Sequence, residues 1–180
     1  MKSDIPIVKD LVLVGGGHSH VAVLKKFGMK PLPGVRITLI TRDVHTPYSG
    51  MLPGYIAGHY DFDETHIDLR PLAMFAGARI YHDEAISIDH ASNKVICRNR
   101  PPVAFDILSV NIGSTPSMTT PGADAFVTPV KPINNFVTRW QGLFERVHAA
   151  TDDVHIGGVG AGAGGVEVLL AIEHRLRLDF

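Results

Sequence analysis

Two stretches of the chain share one pattern, in which an apolar run leads into a cluster of glycines and then into apolar residues at helical spacing. In the first stretch the run covers residues 8–14, the glycines are Gly15, Gly16 and Gly17, and residues 21–27 predict a helix. A β-branched run at residues 35–40 completes strand, turn, helix and strand within about 30 residues, the length of a βαβ unit. Strands buried on both faces have such continuous apolar runs. The beginning of the chain therefore predicts an α/β fold with a parallel sheet.

The middle of the chain predicts short strands and then one long helix. Residues 46–58 are rich in Pro and Gly but too apolar for a solvated loop, and residues 67–75 predict a helix that starts near Thr65 or Asp68. Runs at residues 79–81, 85–88, 94–98 and 105–112 are separated by turns, which predicts an antiparallel meander. Apolar residues recur at helical spacing up to residue 148, and Asn134 and Asn135 are suitable N-caps for this helix.

The second glycine cluster repeats the first pattern near the end of the chain. Residues 154–159 predict a strand, and an amphipathic helix is predicted from Val166 onward. Gly160, Gly162 and Gly165 satisfy the spacing GxGxxG between these two elements. A Gly/Ala-rich linker is the alternative, and the apolar spacing of the following helix argues against it.

The first cluster has Gly15 and Gly17 at the first two positions of the same spacing, with His20 at the third. The first glycine permits the tight turn, and the second allows the backbone to approach a pyrophosphate at the helix N-terminus. The third position normally allows close packing of helix on strand, so His20 is a departure. A buried strand–turn–helix without a ligand is an equally good interpretation of this turn alone.

The end of the second predicted strand departs from the dinucleotide-binding pattern as well. An acidic residue that binds the ribose hydroxyls is expected where Thr41 stands. Asp43 comes two residues later, and Arg42 could contact a phosphate instead.

Composition narrows the class of protein. The net charge of -1 over 180 residues offers no basic face for nucleic acid. No apolar stretch approaches the roughly 18 residues that span a bilayer, and the start of the chain lacks a signal-peptide core. A single cysteine, Cys97, excludes both a disulfide framework and a CxxC redox pair. His18 and His20 do not converge as metal ligands, so no metal site is predicted. These features favour a cytoplasmic α/β protein.

A third segment carries a resemblance to a known family. Residues 105–116 read FDILSVNIGSTP, which resembles the second FAD signature of two-dinucleotide flavoproteins, although Asn111 stands where Ala is usual. Together with the two glycine clusters, this order of motifs resembles the pyridine nucleotide–disulfide oxidoreductase superfamily over nearly the whole chain. The absence of CxxC excludes the disulfide reductases proper. The strings GGGHSH and YSGMLPG are most similar to the NADH-dehydrogenase-like module found with selenide, water dikinase, and residues 46–54 stand where type II NADH dehydrogenases have a flavin-lining loop.

The resemblance implies the cofactors FAD and NAD(P)H, small-molecule nucleotides as partners, and a Rossmann-like FAD-binding domain followed by the start of a second Rossmann unit. It implies an FAD-binding domain at residues 1–122, a connecting segment with a helix at 123–150, and the beginning of an NAD(P)-binding domain at 151–180. Hydride would pass from nicotinamide to flavin, and no catalytic side chain is implied. The implied cofactor contacts are Gly15, Gly17, His18 and Ser19 for the pyrophosphate, Thr41 and Arg42 for the adenosine, Ser49, Gly50, Met51, Leu52 and Pro53 for the flavin ring, Gly113 and Ser114 near the nucleotide, and Gly160, Gly162 and Gly165 for NAD(P)H.

Two further hypotheses remain open at the level of sequence. One is a non-catalytic nucleotide-binding or regulatory module, which His20 and Thr41 favour slightly. The other is a Rossmann enzyme that uses nicotinamide alone at the first turn, which the second FAD signature disfavours.

A complete member of the superfamily is expected to be about twice as long, on the basis of about 100–200 residues per domain. We therefore expect self-association or pairing with another chain through the apolar face of the last helix.

Overall fold

A parallel sheet organises the first half of the fold, as the apolar runs predict. The computed structural model describes residues 5–179. The strands are β1 (Lys9–Val14), β2 (Val35–Thr41), β3 (His45–Pro47), β4 (His66–Asp68), β5 (Arg79–His82), β6 (Ala85–Asp89), β7 (Lys94–Cys97), β8 (Val103–Ala104) and β9 (Ile107–Val110). The helices are α1 (His18–Met29), α2 (Leu52–Ile56), α3 (Phe62–Thr65), α4 (Leu69–Phe75), α5 (Ala123–Phe126), α6 (Ile133–Ala149) and α7 (Ala163–Asp179). A short 3-10 turn over Ser49–Met51 precedes α2.

The chain forms two compact units. The first ends at Thr46 and resumes over Ile67–Gly113, and the second consists of Pro47–His66 and the chain from Ser114 onward. This division describes packing. The linear division into cofactor domains at residues 1–122, 123–150 and 151–180 remains a prediction.

The first unit contains a parallel sheet with the strand order β5-β2-β1-β9. Successive residues of β1 pack on opposite faces, because side chains alternate along a strand. Leu13 packs with Leu24 and Leu69 on the face that α1 and α4 cover. Val12 and Val14 pack with Val95 of the antiparallel sheet β6-β7-β8 on the other face. The α/β fold class, with a parallel sheet and added antiparallel strands, is confirmed.

The second unit has a core made of helices. Short and long helices both contribute apolar side chains to it, and its buried members are Leu52, Ile56, Ala57, Phe136, Trp140, Val168, Ala171 and Ile172. The apolar residues of segment 46–58 that are too many for a solvated loop therefore belong to this core.

Four local predictions are wrong. The run at residues 79–81 and the end of the run at 105–112 belong to the parallel sheet, as β5 and β9, so only β6, β7 and β8 form the meander. The N-cap of α6 is Pro132, and Asn134 and Asn135 lie inside the helix. The first helix begins at His18, earlier than predicted. Residues 154–159 form neither strand nor helix.

Candidate functional site

The first glycine turn lies where the strand order of the parallel sheet changes direction. β1 pairs in parallel with β2 on one side and with β9 on the other. The amide of Gly15 donates to the carbonyl of Ile40 at 2.8 Å, and the amide of Asn111 donates to the carbonyl of Val14 at 2.8 Å. In open α/β sheets, ligands bind outside the carboxyl ends of the strands at such a switch point. The topology therefore supports the turn as a ligand site.

Gly15 and Gly17 are both required by the close approach of β9. Gly15 has φ +91°, a conformation that side chains disfavour, and a Cβ there would collide with the carbonyl of Asn111. Gly17 has extended backbone, and a Cβ there would collide with the carboxamide of Asn111. The Gly17 amide also donates to the Asn111 carbonyl at 3.2 Å. The turn is thus held directly against the end of β9.

His20 fills the position of the third glycine and is buried, with 1% of its surface exposed. Its Nδ1 lies 2.6 Å from the carbonyl of Gly15, and its Nε2 lies 2.9 Å from the hydroxyl of Ser109 in β9. A carbonyl only accepts hydrogen bonds, so Nδ1 carries the hydrogen. The hydroxyl of Ser109 can then donate to Nε2, which leaves no polar atom of the ring without a partner.

The start of α1 has the properties of an anion-binding helix N-terminus. Gly17 is the N-cap, no side chain caps the helix, and no acidic residue lies in its first turn. The first amides of a helix have no partner within it, and the helix dipole favours negative charge there. His18 and Ser19 lie in this first turn and are exposed. That these two residues contact a pyrophosphate stays a prediction.

The end of β2 differs from the adenosine site that the sequence predicts. Thr41 is buried, and its hydroxyl donates to the carbonyl of Asp43 at 2.8 Å. Arg42 is exposed, and its Nε and Nη2 each lie 3.2 Å from Oδ2 of Asp43. The exposed polar groups at this strand end are therefore those of Arg42 and Asp43, while the hydroxyl of Thr41 is used within the fold.

Gly113 and Ser114 follow β9. Gly113 has φ +76°, and a Cβ would meet nothing within 4 Å. Both residues are exposed. Gly113 is needed here for its backbone conformation rather than for close packing.

The predicted flavin-lining segment begins with the 3-10 turn and continues into α2. Ser49 and Gly50 are exposed, and Met51 and Pro53 are half-buried. Leu52 is buried in the core of the second unit. The segment therefore presents Ser49 and Gly50 at the surface, and Leu52 anchors it.

The second glycine turn is open. Gly160, Gly162 and Gly165 are all exposed, and Gly160 has φ +97°. α7 begins at Ala163, so Gly165 lies inside its first turn, where its amide donates to the carbonyl of Gly162 at 3.0 Å. The turn leads into a helix as predicted, but the strand that should precede it is absent from the described residues.

Cys97 is a structural residue. It is buried in β7, and burial is the main cause that raises the pKa of its thiol, with the nearby charge of Asp83 in support. A raised pKa leaves the less reactive thiol form at neutral pH. Over residues 5–179, no group of three or more His, Cys, Asp or Glu side chains could hold a metal ion, and no helix is long and apolar enough to cross a membrane.

Two residues at the site escaped prediction as members of it. Ser109 lies on β9, and Asn111 follows it directly. Their contacts with the glycine turn depend on the pairing of β9 with β1 across almost 100 residues of sequence. The available signals were the departures at Asn111 and at His20. Each of these replaces a small residue, and each now contacts the turn.

Neither a family model nor a curated protein matches the sequence. Solved structures do match its fold. The sulfide:quinone oxidoreductase from Aquifex aeolicus is 21% identical with a TM-score of 0.67, over 96% of this chain and 40% of that one. NDH2 from Plasmodium falciparum is 15% identical with a TM-score of 0.74, over 95% and 38%. The water-forming NADH oxidase from Lactobacillus brevis, solved with NADH bound, is 19% identical with a TM-score of 0.67, over 92% and 37%. The chain thus has the fold of one part of these oxidoreductases and spans about two fifths of their length.

Proposed function

We propose that this chain is the dinucleotide-binding front part of an FAD-dependent NAD(P)H oxidoreductase of the pyridine nucleotide–disulfide oxidoreductase superfamily. The observation that carries the proposal is the turn of Gly15 and Gly17 at the switch point of a parallel sheet, in front of a helix start without acidic residues. The fold shared with oxidoreductases supports it. FAD is favoured by the likeness of residues 105–116 to the second FAD signature.

The residues at the first turn fit a dinucleotide. The first amides of α1 at His18 and Ser19 would hold the diphosphate, and Gly15 and Gly17, whose own amides are bonded within the fold, would let it approach the backbone closely. Arg42 supplies an exposed positive charge at the end of β2 for the adenosine side, and Thr41 would contribute backbone only, because its hydroxyl is already bonded. Gly113 and Ser114 would lie near the same nucleotide.

The resemblance implies residues 49–53 for the flavin ring and the second glycine turn for NAD(P)H. Ser49, Gly50, Met51 and Pro53 would line the ring, and Leu52, which is buried in the core of the second unit, would anchor this segment. Gly160, Gly162 and Gly165 would hold the NAD(P)H diphosphate at the start of α7. The flavin, when bound, supplies hydride acceptance from nicotinamide and passes electrons to an acceptor. The protein's own contribution is binding and orientation.

Three finer parts of the proposal concern a related module, the location in the cell and self-association. The likeness of GGGHSH and YSGMLPG supports a relation to the modules found with selenide, water dikinase. A cytoplasmic location is supported by the single cysteine. Self-association is supported by Val166 and Leu170, which are exposed apolar residues of α7.

FAD loading is the first experiment. The purified chain is incubated with FAD, freed of excess, and examined for visible flavin absorbance and for the dissociation constant. Retained flavin supports the proposal, and anaerobic bleaching by NADH then tests the oxidoreductase assignment. A protein that is colourless after incubation with saturating FAD and removal of the excess contradicts FAD binding by this chain.

A charge substitution makes the experiment specific to the first turn. We expect Ser19→Asp to weaken FAD binding on the order of tenfold, about 1.4 kcal/mol, because it places a carboxylate beside the bound diphosphate. An acidic residue in the first turn of a helix does not destabilise the helix itself. Asn135→Asp is the matched control, since it adds the same charge at the start of α6. Equal FAD affinities for the two variants would place the diphosphate elsewhere.

A non-catalytic nucleotide-binding module with the same fold is the second candidate. The departure at Thr41 favours it, because the residue at the expected ribose position is not acidic and its hydroxyl bonds to the Asp43 carbonyl. Under this candidate the chain retains FAD but NADH does not bleach it. The bleaching experiment therefore separates the two.

A further inference from the structure

His20 combines three features that packing alone does not require. It is a fully buried imidazole, it stands where a glycine would let the helix pack closely, and both ring nitrogens have partners. Burying a polar ring is costly unless its atoms are hydrogen-bonded, so the two bonds are what makes the position acceptable.

One partner of His20 lies in the turn that follows β1, and the other lies on β9. Nδ1 contacts the carbonyl of Gly15, the first residue of the turn, at 2.6 Å. Nε2 contacts the hydroxyl of Ser109, which lies opposite Leu13 in the β1–β9 register, at 2.9 Å. The buried ring therefore connects the glycine turn to β9.

The geometry points to His20 as a positioning residue of the dinucleotide site, an inference that rests on the proposed function. Through Nδ1 it fixes the orientation of the Gly15–Gly16 peptide and hence the path of the turn toward Gly17 and the start of α1. The carbonyl of Gly15 only accepts, which sets the tautomer with hydrogen on Nδ1, and the hydroxyl of Ser109 donates to Nε2 and holds the ring in this orientation. His20 itself does not contact the nucleotide.

Two amide substitutions separate the two bonds. The amide nitrogen of an asparagine reaches about as far as Nδ1 of histidine, and that of a glutamine about as far as Nε2. His20→Asn can keep the bond to the Gly15 carbonyl and loses Ser109, while His20→Gln keeps Ser109 and loses Gly15. Ser109→Ala removes the hydrogen bond at Nε2, and Ser109→Thr retains a hydroxyl as its matched control.

The readouts are hydrogen exchange of the backbone amides at residues 15–19 without cofactor, and the dissociation constant for FAD. We expect His20→Gln to raise local exchange and to weaken FAD binding at least tenfold, with His20→Asn within about threefold of the unsubstituted protein. Ser109→Ala should raise exchange at the turn several-fold, whereas Ser109→Thr should leave exchange close to that of the unsubstituted protein. A merely structural role would make His20→Asn and His20→Gln equally poor, because neither refills the space of the ring.

Every outcome of these measurements either supports or overturns the inference about His20. Equal behaviour of the two His20 variants overturns the inference, as does unchanged exchange in Ser109→Ala if the His20 variants do not fold. The exchange readout needs no cofactor, so it stands even if the chain does not bind FAD. In that case the proposed function fails while the role of His20 in holding the turn is still measured.

Discussion

Asn111 obstructs side chains at both Gly15 and Gly17, but with different atoms. At Gly17 the obstacle is its carboxamide, and at Gly15 it is its main-chain carbonyl. A side chain can be removed by mutation and a main-chain carbonyl cannot. The two glycines are therefore distinguishable by experiment, although a sequence motif treats them alike.

We predict that Gly17→Ala destabilises the protein by about 1–3 kcal/mol, the usual cost of an overpacked site. The double variant Gly17→Ala/Asn111→Ala should recover most of this loss, because the backbone at Gly17 is extended and suits alanine. Gly15→Ala should not recover when Asn111→Ala is added, since its φ of +91° and the carbonyl of Asn111 remain. Urea unfolding midpoints measure all four. Recovery at Gly15 would mean that the main chain after β9 is not the obstacle.

For individual residues, the sequence could predict where the glycines are needed. It could not predict the contacts of the residues that depart from the dinucleotide-binding pattern. His20 in the third glycine position is a departure from the GxGxxG spacing, yet both nitrogens of its ring are hydrogen-bonded. Thr41 is predicted to contact the adenosine, yet its hydroxyl bonds to the Asp43 carbonyl. Both outcomes depend on partners that the local sequence does not specify.

The start of α4 is an element boundary that the sequence predicted. Asp68 is its N-cap, and the carboxylate accepts from the Arg70 amide at 2.9 Å and from Arg70 Nη2 at 2.8 Å. The hydrogen bonds and charge of Arg70 lower the pKa of Asp68 to about 2. Two contributions are therefore combined in one side chain, a capping bond to the backbone and an ionic one to the guanidinium.

We predict that Asp68→Ala lowers the melting temperature across the pH range, because it removes the cap of α4. Asp68→Asn keeps an oxygen for the cap and should lose less. A carboxyl with a depressed pKa stabilises the fold above its ordinary value of 3.8, and this stabilisation is lost as the pH falls toward about 2. The difference in melting temperature between the unsubstituted protein and the Asp68→Asn variant should therefore shrink across that interval. A difference that persists to the lowest pH would mean that the ionic contribution is absent.

Elements whose partners are distant in sequence were the ones predicted least well. The strands β5 and β9 were grouped with their neighbours in sequence, whereas β5 pairs with β2 and β9 pairs with β1. The apolar run at residues 154–159 has a strand-like composition, but a strand also needs a neighbour to accept its hydrogen bonds. In α6 the side chains of Asn134 and Asn135 suit a cap, yet the helix begins earlier, after Pro132.

At the scale of the whole molecule, the two compact units have cores of different kinds. Parallel strands supply the first core and helices the second. The apolar pattern predicted both kinds of element, because each follows from periodicity within a short window. It could not predict that residues 47–66 pack with the chain from residue 114 onward, because such contacts join segments with no shared local pattern.

The only tryptophan of the sequence, Trp140, lies in the core of the second unit, so its fluorescence reports on that core. Ile172 of α7 is buried in the same cluster with 7% of its surface exposed, whereas Leu178 of the same helix is 66% exposed. We predict that Ile172→Ala destabilises this core by about 2–5 kcal/mol, since it removes buried methyl groups and leaves a cavity. Leu178→Ala should change stability by less than about 0.5 kcal/mol. Urea titrations followed by tryptophan fluorescence give both values. If the two substitutions cost the same, α7 does not pack through the face that contains Ile172, and the second core would have to be built without it.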